Sequence, residues 1–454
     1  MSRSERALLT DLYQLTMVQA YWREGLHDEA VFSLFVRRLP PSRNFLLACG
    51  LDDALQYLET LRFTGEELDF LGTRPEFQES FIRWLADFRF QGDVRAMPEG
   101  TPVFAGEPIL EIAAPLPQAQ LVESLLLNQV HLQTTLASKA ARVVLAARGQ
   151  RVVDFGMRRM HGTDAALKGA RAFSVAGVAA TSNVLAGQVY GIPLAGTMAH
   201  SYIQVHGSEL DAFRAFSALY PETVLLVDTY DTLEGVRRVI RLAEEMGDMF
   251  RVRAVRLDSG DLAALAVEAR ALLDQAGLGR VQIFASGGLD DREVARLVEQ
   301  GAPIDAFGVG TAMGVSADAP TLDMVYKLTE YAGRGRLKLS AGKSVLPGRK
   351  QIFREQAGGT AVRDLVALAG EEQPGRPLLE PVMQAGRRLP AGEITLDTIR
   401  RYAAEQLAML PPEVRALTQA DPPYPVEVSR ELEEMERKLK LEIESGRQRV
   451  TRDP

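Results

Sequence analysis

The sequence predicts an α/β protein whose central part is a βα barrel. After Gly149, apolar runs recur at intervals of roughly 30 residues, the length of one strand and one helix. Polar residues follow each run, which favours a barrel over a doubly wound sheet because barrel enzymes hold their chemistry at the carboxyl ends of the strands. The predicted strands are residues 151–155, 192–196, 224–228, 254–258, 282–286 and 306–310, with helices such as 233–246 and 262–275 between them.

The sequence on either side of the barrel predicts a smaller α/β domain. Residues 1–149 contain a helix at 7–24, a strand at 31–36, short strands at 103–104 and 109–112, and a long helix at 120–148. Residues 150–325 form the barrel. Residues 326–454 return to the small β domain and end in a helix capped by Ser429. Basic residues in the return segment bind anions or form a solvated face: Lys327, Lys338, Lys343, Arg349, Lys350 and Arg354.

Composition excludes several classes of protein. The chain has 454 residues and a net charge of −8, whereas a nucleic-acid-binding protein needs a basic face. Cys49 is the only cysteine, so there is no intrachain disulfide, which fits a reducing cytosol. Residues 1–14 lack the apolar core of a signal peptide, and no unbroken apolar run suits a membrane span. We therefore expect a cytoplasmic protein with neither a nucleic-acid nor a membrane partner.

An uncharged segment supplies the first candidate site residues. Residues 172–208 contain no Asp, Glu, Lys or Arg, and within them an apolar run breaks at Gly196 before Thr197, His200 and Ser201. A buried strand that ends in this way delivers polar groups to a site. His200 is either a functional imidazole or a core histidine with satisfied hydrogen bonds.

Charged residues follow three other predicted strands. Arg158 and Arg159 follow the first strand. Their two guanidinium groups can bind a carboxylate or phosphate through paired hydrogen bonds. Asp228 ends one later strand and Asp231 follows it. The next strand contains Arg256 and ends at Asp258, and Asp261 follows it. Carboxylates so placed hold magnesium or ribose hydroxyls, or they cap the next helix, which is the more common role for Asp231 and Asp261.

The last two predicted strands end in glycine-rich turns. One reads Ser286-Gly287-Gly288 and the other Gly310-Thr311. In barrels, turns at these positions bind phosphate through backbone N–H groups, because glycine lets the ligand approach closely. The residues alone therefore predict a site for a phosphorylated sugar beside carboxylates and arginines.

Taken together, five motifs resemble the nicotinate phosphoribosyltransferase family. The resemblance runs from about residue 7 to about residue 355 and implies a type II phosphoribosyltransferase fold: an irregular TIM-like barrel with a split amino-terminal α/β domain. It also implies a homodimer whose sites lie at the interface. The last hundred residues carry no usable motif. The motifs are Leu9-Thr10-Asp11-Leu12-Tyr13-Gln14, Phe155-Gly156-Met157-Arg158-Arg159, Gly196-Thr197-Met198-Ala199-His200-Ser201, Arg256-Leu257-Asp258-Ser259-Gly260-Asp261 and Leu346-Pro347-Gly348-Arg349-Lys350.

The resemblance also implies a reaction and its substrates. Members of the family join nicotinate to phosphoribosyl pyrophosphate in NAD biosynthesis, giving nicotinate mononucleotide and pyrophosphate, and hydrolyse ATP through a phosphohistidine. The implied cofactor is magnesium (Mg2+), which accompanies phosphoribosyl pyrophosphate and ATP, and no magnesium site made by side chains alone is expected. His200 matches the phosphohistidine.

The resemblance assigns the remaining roles residue by residue. Tyr13 would stack on the pyridine ring from the partner subunit, while Thr197 and Arg256 hold nicotinate. Arg158 is not assigned by the resemblance, but as a second arginine at a strand end it is a candidate to share the task of Arg256. Thr311 would bind the ribose 5-phosphate, beside the residues Ser286, Gly287, Gly288 and Gly310 that the glycine pattern predicts to bind phosphate. Asp228 and Asp258 would face ribose hydroxyls or magnesium.

Two other functions remain open at this point. Quinolinate phosphoribosyltransferase shares the architecture, but its substrate has a second carboxylate, so its site needs extra cationic groups, and it has no ATP step. The histidine motif distinguishes the two. The other alternative is a nucleotide-binding protein without catalytic activity on the same scaffold, which a turnover assay would identify.

Overall fold

The computed structural model describes residues 7–339 and 345–450, with side chains to residue 445. Lys343 lies outside the described residues. Within them, no helix has the length and apolar character needed to cross a bilayer.

Between residues 151 and 314 every strand is followed by one or more helices, whereas elsewhere several strands or several helices follow one another. The helices are α1 Leu12–Glu24, α2 Leu51–Thr60, α3 Gly65–Gly72, α4 Glu79–Ala86, α5 Leu116–Leu121, α6 Glu123–Ala146, α7 Thr163–Val175, α8 Val184–Tyr190, α9 His200–Gln204, α10 Glu209–Leu219, α11 Thr232–Met246, α12 Leu262–Gln275, α13 Asp291–Glu299, α14 Thr311–Gly314, α15 Leu396–Met409, α16 Pro412–Arg415 and α17 Arg430–Val450. Short 3-10 helices cover Met157–Arg159, Gly247–Met249 and Pro390–Gly392.

The strands are β1 Glu29–Val36, β2 Leu46–Leu47, β3 Asp93–Ala96, β4 Pro102–Val103, β5 Pro108–Pro115, β6 Arg151–Asp154, β7 Ala180–Thr181, β8 Val224–Leu226, β9 Ala254–Leu257, β10 Gln282–Ala285, β11 Ala306–Val309, β12 Met324–Tyr331, β13 Arg334–Gly335, β14 Lys350–Ala357, β15 Thr360–Leu368, β16 Arg376–Pro377, β17 Glu380–Gln384, β18 Arg387–Arg388 and β19 Val426–Val428.

The chain divides into two compact units. Unit 1 consists of Met1–Thr135 and Thr321–Pro454, and unit 2 is Leu136–Pro320. The first boundary falls inside α6. The division of the sequence at residues 149 and 325 stays a prediction.

Unit 1 is built on a seven-stranded sheet in the order β13-β12-β1-β5-β3-β17-β18. The interior strand β1 pairs antiparallel with both β5 and β12, so the chain after residue 321 returns to the first sheet. All residues of β1 from Ala30 to Val36 are buried, so both faces of this strand are covered. Phe32, Leu34 and Val36 alternate along it and enter the main core from one of these faces. Cys49 is also buried in this unit.

A second sheet of unit 1 has the order β16-β14-β15-β19. After β19, the Ser429 hydroxyl accepts a hydrogen bond from the Leu432 amide over 3.3 Å, which is the predicted cap of α17. Leu432 is fully buried, so the helix begins with an apolar anchor in the core.

Unit 2 contains six parallel strands in the order β7-β6-β11-β10-β9-β8, with helices between successive strands. Val153, Ala254, Phe284 and Ala306 pack together from four neighbouring strands. This curled parallel sheet confirms the predicted fold class. Five of the six predicted strands are present, each one or two residues shorter than expected at its carboxyl end.

The predicted strand at residues 192–196 is wrong. Leu194 forms only an isolated bridge with Thr181, and β7 takes the edge of the sheet instead. Pro193 contributes its carbonyl oxygen to the Thr181 amide, but proline has no N–H with which to extend a ladder. The segment therefore runs beside the sheet as an irregular connection.

Candidate active site

A cavity of about 380 Å³ opens at the carboxyl ends of the unit 2 strands. Its walls include five of the predicted site residues, which are far apart in the sequence, so the structure brings them together. The lining residues are Phe155, Met157, Arg158, Ser182, Gly196, Thr197, Met198, Ala199, His200, Leu226, Arg256 and Asp258.

Arg256 is the most highly connected side chain of this cavity. Its Nε donates to Ser286 Oγ over 2.7 Å, Nη1 to Thr197 Oγ1 over 2.9 Å, and Nη2 to Asp258 Oδ1 over 2.6 Å. The guanidinium carbon also lies 5.3 Å from the centroid of the Phe155 ring. Each nitrogen has a partner on a different segment of the chain, so the guanidinium plane is fixed before any ligand arrives.

Asp258 completes the charge arrangement around Arg256. Ser286 Oγ donates to the same Asp258 Oδ1 over 2.5 Å. Burial opposes ionisation of Asp258, but the Ser286 hydrogen bond and the Arg256 charge outweigh it and lower the pKa of the carboxyl below its ordinary value. The site therefore holds a stable ion pair at neutral pH.

His200 is the first residue of α9, at the mouth of the cavity. Its Nδ1 lies 3.1 Å from Thr229 Oγ1, and its Nε2 lies 3.8 Å from Asp258 Oδ2. The side chain is 42 % exposed. His200 is therefore an accessible imidazole oriented by a hydroxyl and a carboxylate, and the alternative of a core histidine is excluded.

Asp228 lies beside this group, beyond β8. Its Oδ2 accepts hydrogen bonds from the Asp258 amide over 3.1 Å and from Ser259 Oγ over 2.6 Å, while Oδ1 is buried without a hydrogen-bond partner. A carboxylate oxygen in this state suits a hard cation such as magnesium. No group of three His, Cys, Asp or Glu residues that could hold a metal occurs in the described ranges.

The other two acids of these loops cap helices. The Asp231 side chain accepts from the Glu234 amide at the start of α11, and Asp261 accepts from two amides at the start of α12. These contacts match the more common of the two roles that the sequence allowed.

The glycine-rich turns lie next to the cavity residues but are not part of its lining. Gly287 has φ +91°, and a Cβ at this position would lie 1.8 Å from the Asp258 carbonyl oxygen, so only glycine fits. Gly310 precedes α14, whose first residue, Thr311, is exposed. The Ser286 hydroxyl points instead to Arg256 and Asp258. The phosphate-binding roles of these turns stay predictions.

Arg158 and Tyr13 have exposed side chains. Arg158 lies in the 3-10 helix after β6, at the cavity wall, and forms no hydrogen bond or ion pair to the described part of the chain. Tyr13 lies on α1 in unit 1 and is 50 % exposed. Burial, followed by the charge of Glu123, raises the pKa of the Tyr13 hydroxyl. The predicted contact of Tyr13 with a pyridine ring stays a prediction.

Several residues of the site were not predicted from the sequence. Thr229 orients His200, while Phe155, Met157 and Ser182 line the cavity. Thr229 directly follows the predicted Asp228, and the position after a strand was a signal that could have identified it. Ser182 follows the edge strand β7, which was not predicted.

Three family models match consecutive parts of the chain. The nicotinate phosphoribosyltransferase amino-terminal domain matches residues 8–131, the nicotinate phosphoribosyltransferase family residues 150–366, and the carboxyl-terminal domain residues 375–436. The chain belongs to the nicotinate phosphoribosyltransferase family. The predicted family and enzyme class are thereby confirmed, and the third match covers a region in which the sequence showed no usable motif.

Relatives from distant organisms share most of the length of this member of the nicotinate phosphoribosyltransferase family. The chain is 55% identical over 423 residues to nicotinate phosphoribosyltransferase pncB2 of Mycobacterium tuberculosis, covering 93% of this chain and 91% of that protein. It is 41% identical over 376 residues to nicotinate phosphoribosyltransferase of Bacillus subtilis, covering 81% and 77%. The human nicotinate phosphoribosyltransferase is 33% identical over 472 residues, covering 89% and 86%.

Solved structures agree with this assignment. The crystal structure of human nicotinic acid phosphoribosyltransferase superposes with a TM-score of 0.84 at 30% identity, covering 95% of this chain and 100% of that chain. Nicotinate-nucleotide pyrophosphorylase from Pyrococcus furiosus superposes with a TM-score of 0.72 at 26% identity, covering 88% and 94%. The irregular barrel and the split α/β domain expected for a type II phosphoribosyltransferase fold are therefore confirmed.

Proposed function

We propose that this enzyme transfers the phosphoribosyl group from phosphoribosyl pyrophosphate to nicotinate and couples the transfer to ATP hydrolysis through a phosphohistidine at His200. The pyridine nitrogen forms a bond to C1 of the ribose, and the bond from C1 to pyrophosphate breaks with its electron pair. The products are nicotinate mononucleotide and pyrophosphate, together with ADP and phosphate. The observation that carries the proposal is a fixed guanidinium and an accessible imidazole that share one carboxylate, Asp258.

Arg256 is the residue best suited to bind the nicotinate carboxylate. A guanidinium has five N–H donors, and three are engaged by Ser286, Thr197 and Asp258. Two therefore remain for a ligand in the cavity. Because the other contacts already hold the group, little conformational entropy is lost when a carboxylate binds.

His200 is suited to accept a phosphoryl group. An imidazole is nucleophilic near neutral pH, so a ring nitrogen can attack the terminal phosphate of ATP while ADP leaves. Asp258 beside Nε2 stabilises positive charge that develops on the ring. Water then takes the phosphoryl group and restores the histidine.

The residues at the strand ends complete the proposed binding of phosphoribosyl pyrophosphate. Backbone N–H groups at Gly287, Gly288 and Gly310, with the Thr311 hydroxyl, would hold the 5-phosphate. Asp228 and Asp258 would hold ribose hydroxyls or a magnesium ion. That ion would supply positive charge to stabilise the leaving pyrophosphate.

Exposed apolar side chains support a homodimer as the active form. In unit 2, Val184 and Leu185 of α8 are 70 % and 52 % exposed, and Leu194 is 55 % exposed. In unit 1, Leu12 and Tyr13 of α1 are also more than one-third exposed. Patches of this kind are typical of protein interfaces. We infer that Tyr13 of one subunit completes the site of the other; the cytoplasmic location stays a prediction.

The decisive experiment measures pyrophosphate release from phosphoribosyl pyrophosphate with nicotinate, nicotinamide or quinolinate, each with and without ATP. Release with nicotinate that ATP increases is the expected result. Release with quinolinate together with carbon dioxide would identify the decarboxylating alternative instead. Binding of substrates without any release would identify a non-catalytic protein, and light scattering of the same sample tests the dimer.

A further inference from the structure

A second cavity lies at the opposite end of the unit 2 strands. It has a volume of about 410 Å³ and is lined by Glu222, Arg251, Val252, Arg253, Arg280 and Gln282. Arg253 directly precedes β9, whereas Asp258 follows it, so the strand separates this cavity from the candidate active site by roughly 13 Å. Three of the six lining residues are arginines, and we call Arg251, Arg253 and Arg280 the arginine basin.

The arginine basin carries an excess of positive charge. Arg253 forms an ion pair with Glu222. Arg251 and Arg280 form no ion pair with the described residues; they donate instead to backbone carbonyls, Arg251 to that of Asp248 over 2.5 Å and Arg280 to that of Phe250 over 2.6 Å. Backbone carbonyl oxygens carry only a partial negative charge, which cannot neutralise two guanidinium groups.

The arginine basin also retains unused hydrogen-bond donors. Each of its guanidinium groups is engaged through one terminal nitrogen: Nη1 of Arg251, Nη2 of Arg253 and Nη2 of Arg280. The contacts with neutral backbone carbonyls orient the guanidinium groups of Arg251 and Arg280 without neutralising their positive charge. The centroid of the Phe250 ring lies 5.9 Å from the guanidinium carbon of Arg280. A planar guanidinium with free N–H groups binds phosphate oxygens in pairs.

We infer that the arginine basin binds a phosphate anhydride, either inorganic pyrophosphate or the polyphosphate of a nucleotide, at a site separate from the catalytic cavity. A monocarboxylate would neutralise only one of the two excess charges, whereas a pyrophosphate neutralises both and offers oxygens to all three arginines. The volume lies within the usual range for small-molecule sites, about 300–1,000 Å³. The net charge of −8 disfavours a nucleic acid as the source of the phosphates.

The test is equilibrium dialysis of the full-length protein with labelled pyrophosphate, with and without saturating phosphoribosyl pyrophosphate. Because the competitor also carries a diphosphate, it is used at the lowest concentration that saturates the candidate active site, and pyrophosphate that it does not displace there is bound elsewhere. We expect one such undisplaced pyrophosphate per chain. The double variant Arg251→Gln/Arg280→Gln should bind it at least tenfold more weakly, while its KM for phosphoribosyl pyrophosphate stays within about twofold of the parent value.

A matched control removes two positive charges elsewhere on unit 2. Arg237→Gln/Arg292→Gln should bind the undisplaced pyrophosphate like the parent protein, and equal weakening in this control would mean general surface attraction and overturn the proposal. If circular dichroism shows that the double variant is unfolded, Arg253→Gln replaces it. This variant should also bind the undisplaced pyrophosphate at least tenfold more weakly than the parent protein. Absence of undisplaced pyrophosphate in the parent protein also overturns it.

Competition by ATP identifies the source of the anhydride. Displacement of the bound pyrophosphate by ATP at lower concentration than by unlabelled pyrophosphate indicates a nucleotide site, and the reverse order indicates a site for free pyrophosphate. The proposal does not depend on the proposed function: if phosphoribosyl pyrophosphate displaces nothing, the proposed function fails, whereas the effect of the arginine variants still tests the basin.

Discussion

Arg256 and Asp258 form an ion pair over 2.6 Å across the end of β9. Alternate residues of a strand point to the same side, so two positions separated by one residue can meet directly. Ser286, from the loop after the neighbouring strand, bonds both members of the pair. The pair is therefore both the electrostatic centre of the cavity and a link between two loops.

Nicotinate should be preferred over nicotinamide because the two free donors of Arg256 match a carboxylate. Charge-assisted hydrogen bonds contribute about 1.5–3 kcal/mol each, so the preference should be at least tenfold in kcat/KM. Arg256→Lys keeps the charge but loses the planar fork and should narrow the preference by reducing activity with nicotinate. Arg158→Lys is the comparison, because Arg158 is exposed at the same cavity. If the preference for nicotinate over nicotinamide stays the same in both variants, a group other than Arg256 or Arg158 recognises the nicotinate carboxylate.

The Ser286 hydroxyl should act by positioning Arg256 and Asp258. Ser286→Ala removes hydrogen bonds to two charged groups, so we expect kcat/KM for nicotinate to fall tenfold or more, and KM for phosphoribosyl pyrophosphate to rise by a smaller factor because Asp258 keeps its contact with Arg256. A larger effect on KM for phosphoribosyl pyrophosphate than on kcat/KM for nicotinate would instead support the phosphate-binding role that the sequence predicts for Ser286. Ser217→Ala is a matched control, because Ser217 is fully buried and its hydroxyl has no hydrogen-bond partner.

ATP should phosphorylate His200. With ATP labelled on its terminal phosphate, the parent protein should acquire an acid-labile, base-stable label, and His200→Ala should acquire none. Some synthesis without ATP coupling should survive in the variant, because the imidazole does not perform the glycosyl transfer itself. His206→Ala is the control: His206 bonds the Tyr202 carbonyl, is not part of the cavity lining and should be dispensable. Equal labelling of His200→Ala would exclude the assignment.

Thr311→Val and Gly310→Val should weaken phosphoribosyl pyrophosphate binding much more than nicotinate binding. Thr311 is exposed, so its variant loses a hydroxyl without disturbing the core. A Cβ at Gly310 would lie 3.2 Å from the Phe155 carbonyl oxygen, so this variant also shifts the turn. Separate binding titrations of the two ligands test the prediction. Unchanged affinity for phosphoribosyl pyrophosphate in Thr311→Val would mean that the 5-phosphate binds elsewhere.

A buried acidic pair in unit 1 should make stability depend on pH. Burial raises the pKa of Glu107 well above its ordinary value, and the neighbouring Asp364 carboxylate raises it further. Asp364 itself accepts from Arg354 Nε over 2.9 Å and from the Tyr424 hydroxyl over 3.0 Å. Glu107 Oε2 accepts from the Phe104 amide over 2.8 Å, but Oε1 is buried and no donor in the described part of the chain reaches it, which disfavours the ionised carboxylate.

The raised pKa of Glu107 makes the folded protein less stable as the pH rises. An unfolded chain ionises this carboxyl near pH 4.3, whereas the folded protein keeps it protonated, so the free energy of unfolding falls by about 1.4 kcal/mol per pH unit until the folded pKa is reached. Glu107→Gln stays neutral, so its urea-denaturation midpoint should decline less than that of the parent protein as the pH rises above about 5. Identical declines in parent and variant would contradict the assignment of a proton to Glu107.

Periodic burial is the property that sequence patterns predict well. The predicted helix at 262–275 coincides with α12, because its buried residues Leu262, Ala266, Ala269 and Leu273 recur at helical spacing. The interiors of five predicted strands of unit 2 were also correct, but their carboxyl ends were predicted one or two residues too late. At those ends the chain leaves the sheet to form the site, so hydrogen bonding stops before the apolar pattern does.

The orientation of polar side chains was less predictable. Ser286 was predicted to bind phosphate from its place in a glycine-rich turn, yet its hydroxyl bonds Arg256, 30 residues away. Thr229 lies 29 residues from its partner His200. Contacts at such separations depend on how neighbouring βα units align, and a local pattern carries no information about that alignment.

The three hydrogen bonds of Arg256 also bear on how the protein folds. The bond to Thr197 closes a chain segment of 59 residues and the bond to Ser286 one of 30. Ordering such segments has an entropic cost, so neither bond can form early without the intervening strands and helices in place. The site should therefore form late and in a single cooperative step, and recovery of ligand binding during refolding would report completion of the parallel sheet.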